Sequence, residues 1–253
     1  MNDKIQPILV IIATLGTIIF NYFAATGKLG GVLTNVVSDK NPTFITPAGY
    51  AFSIWSLIYL GSIAFSIYQF LPSQLERFRG IRRDYLITCV LNCAWLYFWS
   101  LEMVGVCVAL IILLLATLGF INTKLIKTET NGEYWFAKGT FGIYFGWVTA
   151  ATILNISIWL VTLGVKVADS TAILIGAGLL LFAGALAVFV RIQLTNYFYP
   201  LAVAWALVAI AVKQSSKTLI VAAAAVALIA CLIASATFIF SMPSSLNKPE
   251  TNA

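Results

Sequence analysis

Eight apolar runs follow one another along 253 residues with only short polar segments between them. They are Ile5–Ala25, Gly49–Leu71, Tyr85–Leu101, Met103–Ile121, Gly139–Val161, Thr171–Val190, Tyr197–Val212 and Leu219–Phe240. A helix needs about 20 apolar residues to cross the hydrocarbon core, and a spanning segment must satisfy its own backbone groups, so runs of this kind fold as helices. A transmembrane barrel would show strands of about ten residues alternating in polarity, and none do. The chain is therefore expected to be all-α, a polytopic transmembrane helical bundle of about eight helices whose first partner is the lipid bilayer. Its charge content agrees: only 9% of residues are charged, against about a quarter in a soluble domain. The net charge of +6 would raise the question of nucleic acid in a soluble chain. Here the charges fall between the runs, where they set membrane orientation, and no nucleic-acid partner is expected.

The sequence contains no histidine, which excludes His-ligated haem or zinc and every Ser-His or Cys-His nucleophile. Cys89, Cys93, Cys107 and Cys231 all fall inside apolar runs without a C-x-x-C spacing, so neither a disulfide framework nor a metal site is indicated. The first run is about 20 residues long, against the 7–15 of a signal-peptide core, and it lacks an A-x-A cleavage pattern. It is read as a retained helix.

Basic residues counted on alternate sides give the orientation. One side collects Lys4, Arg77, Arg79, Arg82, Arg83, Lys124, Lys127, Lys138, Arg191 and Lys248; the other has Lys28, Lys40, Lys166, Lys213 and Lys217. Ten against five places both termini in the cytoplasm, in a cell (inner) membrane, with the long 26–48 loop outside. Arg77–Arg83 then reads as a positive-inside anchor, with anionic-lipid recognition as the alternative. No acidic or basic residue sits in the middle of a run, which argues against proton- or sodium-coupled transport.

The chemistry left inside the membrane is uncharged. In the third run Asn92, Trp95 and Trp99 share a face at i, i+3 and i+7, and in the fifth Tyr144, Trp147, Ala151 and Asn155 line another. An asparagine in hydrocarbon must find partners, so Asn92 and Asn155 are expected to point into the bundle and bond across helices. Two readings stand: interhelical glue with aromatic filler, or an aromatic-walled cavity for a planar apolar ligand oriented by the amides.

The segment Leu91-Asn92-x-x-Trp95-x-x-Phe98, followed by Trp147-Val148-x-x-Ala151-x-x-Leu154-Asn155-x-x-Ile158-Trp159, resembles the paired helix signatures of the TspO/MBR family, the tryptophan-rich sensory or translocator proteins. Upstream, Thr46-Pro47-Ala48-Gly49-Tyr50-Ala51-Phe52-Ser53-Ile54-Trp55-Ser56-Leu57-Ile58-Tyr59 is similar to that family's proline-led second helix. Thr46 suits an N-cap there and Pro47 a first helical position. The resemblance implies a five-helix core over residues 1–165, to which residues 166–241 add three transmembrane helices and 242–253 a disordered tail. It further implies a membrane protein that binds a tetrapyrrole such as a porphyrin or haem, or another planar apolar ligand, in a sensory or translocator role. Tyr50, Phe52, Trp55, Tyr59, Asn92, Trp95, Tyr144, Trp147, Ala151 and Asn155 become the ligand-binding candidates. The 26–48 loop would be a lid, with Gly27, Gly30 and Gly31 suited to move.

Porphyrin breakdown in that family is associated with two cavity tryptophans, and here Tyr50 replaces the one that follows the prolines while Trp147 keeps the other. Binding without efficient degradation is the expectation, with no catalytic residue and no cofactor. The added segment is rich in small residues, among them Gly176, Gly178, Ala183, Gly184 and Ala187, which suits close packing on the core or a homo-oligomer. Tyr197, Tyr199, Pro200 and Trp205 would be interfacial anchors. A ligand-free structural or assembly protein and a small-molecule transporter are the alternative functions.

Overall fold

In a computed structural model, which describes residues 5–29 and 33–237, each of the eight apolar runs is helical over most of its described residues. The helices are α1 (Ile5–Ala25), α2 (Thr34–Lys40), α3 (Ile54–Tyr68), α4 (Arg79–Ser100), α5 (Val104–Lys124), α6 (Thr140–Thr162), α7 (Asp169–Leu194), α8 (Tyr199–Lys213) and α9 (Thr218–Ala236). No strand occurs among the described residues. The proposed tail, Lys4, Lys248, Gly30 and Gly31 lie outside them.

The boundaries depart from the hydropathy pattern in instructive ways. A seven-residue helix, α2, sits within the 26–48 loop. The α4 helix starts six residues before its apolar run, because Arg82 and Asp84 are buried and hydrogen-bonded rather than solvated. A π-helical turn, Glu133–Gly139, leads into α6. Among the described residues six spans are long and apolar enough to cross a membrane; of the eight apolar runs the other two are α4, with its charged first turns, and α8, with 15 residues. At 1.5 Å per residue α8 extends only about 22 Å, yet nine of its residues are buried, so protein covers most of it and one face with Leu201, Val208 and Val212 stays exposed.

In the bundle α4 packs on α1 and α5, α6 on α5 and α8, and α7 and α8 on α9. Small residues allow the close approaches. A Cβ on Gly184 would stand 2.7 Å from the Cβ of Ala227, and one on Gly146 would collide with the Tyr199 carbonyl. Polar side chains then tie helices together where water cannot. Asn122 Nδ2 donates to the Phe141 carbonyl (3.1 Å), and its Oδ1 accepts from Asn196 Nδ2 (2.8 Å). Tyr199, expected at the interface, is buried instead, its hydroxyl donating to Thr149 Oγ1 at 2.8 Å.

Charged groups gather at the two ends of the bundle. At one, Arg77 pairs with Glu133, Lys124 with Asp84 (2.6 Å), and Lys138 donates to the Ile126 carbonyl and Thr195. At the other, Lys40 pairs with Glu102 and Lys213 with Asp39 (3.2 Å). Arg77, Lys124 and Lys138 thus share one end and Lys40 and Lys213 the other, as the alternation of basic residues groups them. Within the arginine cluster Arg82 is no anchor: it is 2% exposed and holds the α3–α4 turn through Gln69 Oε1 (2.5 Å) and the carbonyls of Leu75 (2.6 Å) and Gln69 (3.0 Å).

Candidate functional site

The entry into α3 sets the position of the first aromatics. Thr46 does not cap this helix. Its Oγ1 accepts from the Thr43 N–H at 2.9 Å and closes the preceding turn, while the helix begins as a 3₁₀ segment, Gly49–Ser53, with no side-chain cap. This tighter winding swings Phe52 and Trp55 inward and leaves Tyr50 43% exposed, edge-on to Trp205 at 5.5 Å. Tyr50 borders none of the three spaces described below. A tryptophan in its place would meet Trp205 rather than a ligand.

Trp55 is the hub of the aromatic cluster. Its ring centroid lies 5.8 Å from Tyr59, 6.2 Å from Trp95, 5.8 Å from Tyr144 and 6.4 Å from Trp147, and Trp147 meets Phe52 edge-on at 6.0 Å. On α4, Trp95 and Trp99 stack at 5.7 Å. Stacked and edge-on pairs of this kind add about 0.5–1.5 kcal/mol each beyond the area they bury.

Three spaces surround the hub. An inner cavity of about 50 Å³ is bordered by Phe52, Trp55, Trp95, Trp147, Ala151 and Asn155, and closed on its far side by α7 and α8. A lateral groove of about 420 Å³ lies between α1, α3 and α4, bordered by Asn21, Tyr22, Phe52, Trp55, Tyr59 and Leu96. Tyr59, Asn92 and Tyr144 meet at a small polar pocket of about 20 Å³. The candidate residues other than Tyr50 therefore converge, but on three compartments and not one.

Asn92 and Asn155 both bond across helices, as their burial demands. Asn155 accepts from Trp95 Nε1 at 3.1 Å and donates to its own helix at Ala151 (2.9 Å), so both ends of its amide are engaged. Asn92 Oδ1 accepts from Asn21 Nδ2 at 2.8 Å, and Asn21 Oδ1 accepts from the Tyr59 hydroxyl at 2.5 Å. This chain joins α1, α3 and α4. One buried donor is left over: Trp147 Nε1 has no hydrogen-bond partner, although its residue is 4% exposed. An unmet buried donor costs about 1–3 kcal/mol, a cost that a ligand acceptor can remove.

Several site residues escaped the sequence reading. Asn21 carried a usable signal, since it is an asparagine inside an apolar run, but it falls outside the quoted motifs. Leu180, Ala183, Val203 and Leu207, which border the inner cavity, carry none; they resemble every other aliphatic residue in α7 and α8. Among the described residues no group of three His, Cys, Asp or Glu could hold a metal, and the four cysteines are free.

The family model for TSPO-like proteins matches residues 7–238. No curated protein and no solved structure matches the chain.

Proposed function

The chain belongs to the TSPO-like protein family, and from that premise we propose that this membrane protein binds a planar apolar ligand of the tetrapyrrole type in the lateral groove, in a sensory or translocator role. The observation that carries the reading is the groove itself. At about 420 Å³ it falls in the range of about 300–1,000 Å³ typical of small-molecule sites, whereas the inner cavity does not. Trp55, Phe52 and Tyr59 give it aromatic faces, and the Tyr59–Asn21–Asn92 chain supplies a polar edge without formal charge. A flat ligand from the bilayer would enter between α1 and α3, where Tyr22 is exposed. The basic end of the bundle would face the cytoplasm.

Binding without conversion is part of the proposal. No carboxylate and no histidine borders the three spaces, so a tyrosyl or tryptophanyl radical formed there would lack a nearby proton acceptor.

Titration of the purified protein with protoporphyrin tests the reading. Saturable quenching of tryptophan fluorescence is expected, weakened by Trp55→Leu while the fold persists. Absence of saturable quenching would leave the aromatic cluster as packing alone. Under illumination in air the Soret band should decay no faster with the protein than with empty detergent micelles; rapid protein-dependent conversion to a bilin-like spectrum would refute binding without conversion.

A further inference from the structure

The inner cavity has a wall that the proposed ligand site does not require. Leu180 and Ala183 of α7 and Val203, Ala206 and Leu207 of α8 line the cavity together with Trp147. Phe52 and Trp55 border both this cavity and the lateral groove, so the two spaces meet at those two side chains. A dry apolar cavity of about 150 Å³ takes a benzene ring, and by proportion about 50 Å³ takes roughly two non-hydrogen atoms, the size of a carbonyl group. Into this otherwise apolar space faces the indole of Trp147, 96% buried, whose N–H has no partner, while the neighbouring Asn155 amide is engaged at both ends.

We propose that α7 and α8 make the inner cavity a substituent pocket for the ligand whose flat body lies in the groove. It admits one short neutral substituent bearing a hydrogen-bond acceptor, such as a carbonyl; the Trp147 N–H recognises that acceptor, and Leu180 and Leu207 limit its length. The pocket rests on the reading of the groove as a planar-ligand site and adds what discriminates among planar ligands. Entry requires the Phe52 ring to rotate aside. A carboxylate is disfavoured, because no cation borders the cavity to replace its water. A group with donors alone leaves the indole N–H unmet.

The test uses the full-length protein in nanodiscs and calorimetric titration with fluorene, 2-ethylfluorene, 2-acetylfluorene and 2-benzoylfluorene. Partitioning of each probe into lipid cancels when variants are compared. The acetyl-to-ethyl affinity ratio of the unmodified protein should fall roughly two- to tenfold in Trp147→Phe. The benzoyl probe should bind the unmodified protein more weakly than unsubstituted fluorene and gain at least severalfold in Leu207→Ala. Ala206→Leu, which fills the cavity from the same helix, should abolish the preference for acetyl. Opposite effects of the last two variants cannot arise from loss of folded protein. An acetyl-to-ethyl ratio unchanged by Trp147→Phe, or a benzoyl affinity indifferent to Leu207→Ala, overturns the pocket while leaving the groove standing. If no probe, fluorene included, binds the unmodified protein, the groove reading falls and the pocket falls with it.

Discussion

Replacing Arg82 by methionine keeps the length of the side chain and removes its donors, which makes it a direct measure of what the α3–α4 turn depends on. In the folded protein the guanidinium bonds Gln69 Oε1, the Gln69 carbonyl and the Leu75 carbonyl, all within 3.0 Å. After the substitution the Gln69 side chain can rotate to another partner, but the two carbonyls are fixed in the backbone. A buried polar group left unmet costs about 1–3 kcal/mol, so the two together predict a loss of about 2–6 kcal/mol. For a chain of this size that corresponds to a fall of at least about 4 °C in unfolding temperature. The control is Arg83→Met, one residue along, where the side chain is 77% exposed and its approach to Asp84 is 3.8 Å; a surface change of this kind stays within about 0.5 kcal/mol. Cys89, Cys107 and Cys231 are buried, so a thiol-reactive dye that fluoresces on coupling reports the unfolding of each variant directly. Arg82→Lys should fall between the two, since one ammonium cannot reproduce the planar fork. Equal unfolding temperatures for Arg82→Met and Arg83→Met would refute the reasoning, and with it the claim that this arginine is structural and not a membrane anchor.

In a cysteine-free background, Lys166→Cys should react with an impermeant thiol reagent in intact cells and Arg83→Cys should not; the opposite labelling would reverse the orientation. Gly184→Val should lower the unfolding temperature by the equivalent of about 1–3 kcal/mol, because its Cβ would stand 2.7 Å from that of Ala227, whereas Gly178→Ala, with nothing within 4 Å, should not. Trp205→Phe removes the 2.9 Å bond to the Ala51 carbonyl, worth about 0.5–1.5 kcal/mol. Amide exchange over residues 46–53 should then accelerate while exchange in α5 stays unchanged; no local acceleration would show that α8 does not hold the start of α3.

Hydropathy alone determined the eight long apolar helices, though not the seven-residue α2, and the placement of basic residues determined which loops share an end. Both follow from the same physics: lipid punishes an unpaired backbone and a buried charge strongly enough that no later packing choice reverses it. The asparagine rule was equally local, and Asn92 and Asn155 obey it across α1 and α4 respectively. What the sequence could not supply is rotation. On a helix apolar all round, periodicity no longer says which face turns inward, so Tyr50 and Tyr199 were placed wrongly relative to their neighbours, and Arg82 read as a surface charge. Only the packed bundle decides these, through the 3₁₀ entry to α3, the Gly146–Tyr199 approach and the closure of the α3–α4 turn. The same holds for the wall of the inner cavity. Leu180 and Leu207 matter because α7 and α8 reach the cavity that Trp147 borders, and which helices meet there is settled by many small contacts between non-adjacent segments, none of which leaves a mark in the sequence of either one.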